Sequence, residues 1–195
     1  GAQFNGGTGF HTTTYYFSTS RNFTESLDVL LDFVLNPLIT EERVEKERGI
    51  IEQEVRMYED DPGFRSHFLL HRALYSNLRL RVSPGGRVSD VKAITAADIQ
   101  ACYDAFYSPS SLCLVVSGDL DPHGIFEQAQ FLAPAEDEAM GQLLPVEEPE
   151  VVAEPWLEEE FPLARSRTLI GWRESDSPGT GELGLRRRLA AHFAL

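Results

Sequence analysis

The sequence predicts an α+β fold, with a mixed or antiparallel sheet and helices packed on one of its faces. Three observations carry this expectation. Residues 10–20, FHTTTYYFSTS, are rich in Thr, Tyr and Phe, the composition of a strand. Segments at 24–36, 40–60, 62–75 and 95–107 place apolar residues three and four apart, the spacing of an amphipathic helix. Residues 111–118, SLCLVVSG, form a short apolar run of strand length. Helices in succession between a few strands point to α+β rather than to alternating βαβ units.

Each element has a local cause. The first helix, TESLDVLLDFVLN, stops before Pro37, which cannot continue it. Thr40 is placed to cap a second helix that runs to about Asp60, and Asp61-Pro62 breaks it. A third helix spans about Pro62 to Tyr75. Residues 76–90 contain SPGG and read as loop with a short strand. Thr95-Ala-Ala-Asp98 is a capping-box variant that opens a helix to about Tyr107. Asp119 to Pro122 turn the chain into a helix from about His123 to Leu132. Residues 134–160 hold ten acidic residues, four prolines and no Lys, Arg or His, so they supply −10 of the −14 net charge and read as a solvated linker. Beyond it, 167–173 reads as a strand, 174–181 as a loop, and 182–195 as an amphipathic helix.

A 42% apolar content suits a chain with a real core. The acidic balance argues against a nucleic-acid partner, and no apolar run is long enough to span a membrane. Cys102 and Cys113 lie in apolar periodic segments and are expected as buried free thiols in a reducing, cytoplasmic setting. The chain starts without Met and stops inside a helical pattern, so a piece of a longer protein is expected.

The second helix carries the most informative residues. At about 100° per residue, Val44, Ile50, Ile51, Val55, Met57 and Tyr58 define one broad apolar arc. Glu47 and Glu54, seven residues apart, fall within about 20° of each other in the middle of it. A carboxylate on a buried stripe is costly unless paired, hydrogen-bonded or bound to a cation. The pair is therefore either salt-bridged beneath a loop or part of a metal or catalytic site. His67 and His71 stand at i and i+4 in HFLLH, a spacing that can meet one metal. Leu70 stands where an inverted zinc motif needs its base glutamate, so ordinary packing is the expectation there. His11, His123 and His192 are isolated, and SPGGR lacks the spacing of a phosphate loop. Asn5-Gly6-Gly7-Thr8 reads either as a turn or as an edge segment whose open backbone pairs with an extended peptide.

Three stretches together resemble the pitrilysin/insulinase family of zinc peptidases, the inverzincins. These are GAQFNGGTGFHTTTYYFS, EKERGIIEQEVRMYEDDPGFR and ITAADIQACYDAFYSPSSLCLVVSGDLDP, in that order, over residues 1 to about 130. GIIEQEVRMYEDDP is most similar to the bacterial processing-protease-like branch. The resemblance implies a processing-peptidase type of α+β fold. It makes residues 1–133 the C-terminal part of a first peptidase domain, 134–160 the linker, and 161–195 the start of a second, peptidase-like domain. It also implies one Zn2+ in the full-length protein, held by two histidines of an H-x-x-E-H motif and by a glutamate on a later helix. Glu54 maps to that glutamate ligand, and Glu47 to the acidic neighbour that orients the site by hydrogen bonding. Zinc-bound water would attack the peptide carbonyl while the motif's glutamate takes the proton. Asn5, Gly6, Gly7 and Thr8 map to the segment that anchors substrate backbone, with Gly6-Gly7 where Ala and a bulkier residue are common. No H-x-x-E-H occurs in this sequence. The chain alone is therefore expected to contain no catalytic residue and to be inactive. The full-length protein is expected to be a metalloendopeptidase acting on small or unfolded peptides. The alternative is a non-catalytic subunit that binds peptides or an active partner. A homodimer or a related family subunit is the expected assembly.

Overall fold

The computed structural model describes residues 1–132 and 144–173. The loop expected at 174–181 and the helix expected at 182–195 lie outside the described residues. Two strands open the chain, β1 (Gln3–Thr8) and β2 (Thr13–Ser18), paired antiparallel with Gly6 opposite Tyr15 and Asn5 opposite Tyr16. Six α-helices follow among the described residues: α1 (Phe23–Leu35), α2 (Glu41–Glu59), α3 (Pro62–Leu74), α4 (Val88–Ala93), α5 (Ala96–Phe106) and α6 (Pro122–Ala129). Helices with a small antiparallel sheet make this an α+β structure, as the sequence predicts.

The helix starts are set by side-chain oxygens that satisfy otherwise unpaired amides. Thr40 Oγ1 accepts from the Arg43 amide at 3.3 Å, and Asp61 Oδ1 from the Phe64 amide at 2.6 Å. Thr95 and Asp98 exchange bonds as a full capping box, and hydrogen bonding from Thr95 holds the Asp98 carboxyl below its ordinary pKa. Asp121 accepts from the amides of His123 and Gly124.

Two compact units form. The first comprises Gly1–Asp60 with Ser83–Pro145, the second Asp61–Val82 with Val146–Leu195. In the first, α1 buries Leu27 and Leu31, β2 lies against α1, and α2 packs on α4 through Val55 and Val91. In the second, Leu74 of α3 is buried, and Gly171 lies close against Leu70 and Leu74. There the Glu148 carboxylate accepts from the backbone amides of Ser76, Asn77 and Leu78 and faces Arg173 at 3.3 Å. Glu154 donates its amide to the Ala73 carbonyl at 2.9 Å, and Glu159 pairs with Arg65.

Several expectations differ from what forms. Residues 112–117 form no regular element, with half-buried and exposed residues alternating, and no strand pairs with them among the described residues. Residues 167–173 likewise pair with no described strand, and Arg167, Thr168, Leu169 and Ile170 are all exposed. An extended apolar run becomes a strand only when a neighbour satisfies its backbone groups. Residues 76–90 are mostly loop, as expected, but hold a 3₁₀ turn at Arg79–Arg81 and the first turn of α4 where a short strand was expected. Cys102 and Cys113 are exposed, not buried. Cys102 lies on the outer side of α5, and Cys113 takes an outward position in the alternation of 112–117. No helix among the described residues is long and apolar enough to cross a membrane.

Candidate functional site

Asn5, Gly6, Gly7 and Thr8 do not form a turn. They make up most of β1, because a tight bend closed by the Gly9 amide on the Thr12 carbonyl at 2.9 Å brings β2 back alongside. Every residue of β1 is exposed. Residues opposite each other in an antiparallel pair share a face, so Phe4, Gly6 and Thr8 share the face of Tyr15 and Phe17. Asn5 and Gly7 take the other face, with Tyr16. The Asn5 amide oxygen accepts from the Gly6 amide at 2.8 Å. A methyl group at Gly6 would stand 3.3 Å from Tyr15 Cδ1 and 3.4 Å from the Thr14 carbonyl oxygen, so the bare glycine lets the Tyr15 ring approach β1. At Gly7 the space is open.

Tyr15 reaches from this hairpin into a cluster of rings. Its hydroxyl lies 2.8 Å from that of Tyr107, and Phe33 meets its ring edge-on with centroids 5.8 Å apart. Tyr107 stacks on Tyr103 at 4.8 Å, and Tyr103 donates to the Val34 carbonyl at 2.9 Å. Burial, reinforced by the bond to Tyr15, pushes the Tyr107 hydroxyl well above the ordinary tyrosine range. Sequence reasoning missed this cluster. The only signal for it was aromatic residues in three separate segments.

Glu47 and Glu54 do lie on one face of α2, but that face is exposed. The helix turns its Val44, Arg48, Glu52 and Val55 side inward. There Glu52 stands 3.8 Å from Lys92, and Arg48 donates to the Ile94 carbonyl at 2.8 Å. The arc is therefore split: Val44 and Val55 face inward, while its Ile50 (58% exposed) and Met57 (59%) side points outward together with the two carboxylates. Neither glutamate has a hydrogen bond or ion pair with a described residue. His67 and His71 do come together on α3, with ring centroids 4.2 Å apart and His71 Nδ1 at 2.8 Å from the Leu80 carbonyl oxygen. Burial and then the neighbouring His71 lower the pKa of His67.

A catalytic zinc takes three protein ligands and keeps one open position. No group of three or more His, Cys, Asp or Glu side chains converges among the described residues. Glu54 offers one oxygen donor of a type zinc accepts. The described residues do not complete a zinc site around it.

Helices with a small antiparallel sheet fit the processing-peptidase type of α+β fold. Residues 1–83 match the model of the family described as Insulinase (Peptidase family M16), and the chain belongs to that family. It is 33% identical to the "Uncharacterized zinc protease YmfH" of Bacillus subtilis over its whole length, which is 46% of that protein. A solved M16-like peptidase from Alicyclobacillus acidocaldarius is 38% identical, with a TM-score of 0.71 over 79% of this chain and 37% of that one. Mitochondrial-processing peptidase subunit beta of Mus musculus is 26% identical over 67% of this chain and 27% of its own length. The chain thus spans less than half the length of each of these relatives.

Proposed function

We propose that the full-length protein is a zinc metalloendopeptidase that cleaves small or unfolded polypeptides, and that Glu54 is its carboxylate zinc ligand. Glu47 orients the site beside it, and the Asn5–Thr8 strand receives substrate backbone along its open edge. The observation that carries this reading is the pair of unpartnered carboxylates on the outward apolar face of α2. Exposed Ile50 and Met57 around them make it a face that another part of the protein covers. Two carboxylates beneath such a cover need hydrogen-bond donors, an ion-pair partner or a bound cation. The relatives named as zinc proteases support zinc as that cation. In this reading residues 1–133 complete a first peptidase domain, 134–160 link it onward, and 161–195 open a second, in the cytoplasm. The chain by itself, with one zinc ligand, is inactive.

A non-catalytic subunit is the second reading, favoured by the relative named as a subunit of a processing peptidase. A related subunit is then its natural partner. Zinc content and peptidase activity of the full-length protein and of Glu54→Gln separate the two. The first reading expects one zinc per chain in the parent, loss of both zinc and activity in the variant, and an unchanged fold. Equal zinc in parent and variant refutes the ligand assignment. A folded parent with neither zinc nor activity selects the subunit.

A further inference from the structure

We propose that Tyr15 and Tyr107 act as a pin that fixes where the open edge of β1 lies, making both of them positioning residues for a peptide laid along that edge. The inference rests on the reading of Asn5–Thr8 as the peptide-receiving strand. A two-stranded hairpin is marginal on its own and must be held by something outside it. Here β1 is exposed along its whole length, so its place is set through β2. The contact that sets it is specific. The Tyr15 ring approaches β1 at Gly6, and its hydroxyl continues to Tyr107 at 2.8 Å. Tyr107 is the residue that ends α5, where its amide still bonds back to the Tyr103 carbonyl at 2.9 Å. Its ring stacks on Tyr103, which in turn bonds the last turn of α1 through the Val34 carbonyl. The strand edge is thereby referenced to α5 by one hydroxyl–hydroxyl bond, which adds to the packing of β2 on α1 through the Tyr15–Phe33 and Phe17–Phe23 ring pairs.

That bond separates positioning from ordinary packing, because Phe keeps the ring and removes only the link. One unpaired hydroxyl left at a half-buried site is worth roughly a five-fold change in a local opening equilibrium. Replacing both partners with Phe leaves no orphan and costs less than the sum of the two single changes. The experiment uses the full-length protein, its Tyr107→Phe variant and the Tyr15→Phe/Tyr107→Phe double variant. Hydrogen exchange of residues 3–8 is followed with and without an extended model peptide, alongside kcat, KM and zinc content. Tyr107→Phe is expected to speed β1 exchange about five-fold and to raise KM by a similar factor, with kcat and zinc unchanged. The double variant is expected to be no worse than the single one. Unchanged β1 exchange, or exchange raised uniformly through the protein, overturns the pin. So does a fall in kcat at constant KM, which marks a merely structural loss of active protein. A zinc-loaded, active parent whose β1 gains no protection from peptide overturns the positioning role alone. A parent without zinc, activity or peptide protection overturns the functional reading and this inference together.

Discussion

The orientation of α2 decides how its two glutamates are understood, and it can be measured by comparing Val55→Ala with Ile50→Ala. Val55 is 5% exposed and is the buried residue of the helix, lying near Gly85 with a built methyl 3.7 Å from its Cγ2. Truncation to Ala removes two buried carbons at about 0.8 kcal/mol each. With part of the cavity left unfilled, the expected loss is about 2 kcal/mol. Ile50 is 58% exposed, so most of its removed surface was already in water. Ala is also the better helix former by several tenths of a kcal/mol, about enough to offset what is lost. Equilibrium urea unfolding of the isolated chain, followed by far-UV circular dichroism, is expected to show a clearly lowered midpoint for Val55→Ala. Ile50→Ala is expected to lie within about 0.5 kcal/mol of the parent. A larger loss from Ile50→Ala than from Val55→Ala would mean that the helix is rotated and that Glu47 and Glu54 face the core. In the full-length protein, the same Ile50→Ala change becomes costly if another segment covers that face.

Two further outcomes follow from groups described above. Burial opposes ionisation of Glu148, but the amides of Ser76, Asn77 and Leu78 and the charge of Arg173 outweigh it and hold its pKa below the ordinary value. A carboxyl with a lowered folded pKa stabilises above its unfolded value, about 4.3, and that contribution disappears as pH falls through the folded pKa. Protection of those three amides, read by NMR exchange, is therefore expected to persist at neutral pH and to fall below about pH 4. Glu148→Gln should weaken it at neutral pH and remove most of its fall with acid, and undiminished protection of the parent at pH 2 would refute the role. Cys102 and Cys113 are both exposed, so a thiol reagent is expected to titrate both in the native chain without denaturant; a thiol that reacts only after unfolding would contradict its placement.

The helices were legible because their signals are local. Thr40, Asp61, Thr95 with Asp98, and Asp121 each cap the helix that follows in sequence, so their roles are written within three residues of where they act. Strands were legible only where the partner was close. β2 pairs with β1 across a four-residue bend, whereas 111–118 has the composition of a strand and no neighbour among the described residues. Pairing is non-local, and composition cannot supply it. The Gly6-Gly7 pair suggested a turn because glycine permits one, but pairing with β2 keeps it extended. The wheel placed Glu47 and Glu54 together correctly, yet it could not say which face of α2 is covered. On the covered side stand Arg48 and Glu52, charged residues that a wheel would put in solvent but that are half-buried, with partners at Ile94 and Lys92. Nothing in an acidic run singled out Glu148, because its amides lie some seventy residues upstream.

The apolar run from Leu112 to Ser117 bears on how the isolated chain behaves in a tube. Its backbone is, among the described residues, joined to no neighbouring strand, and Val115 is turned outward. Such a segment is a template on which a second molecule can add. What holds copies apart is the charge of −14, and that protection reaches only about 8 Å at physiological ionic strength. Dilute buffer near neutral pH keeps the repulsion in force, while salt or acid removes it and leaves the sticky edge exposed.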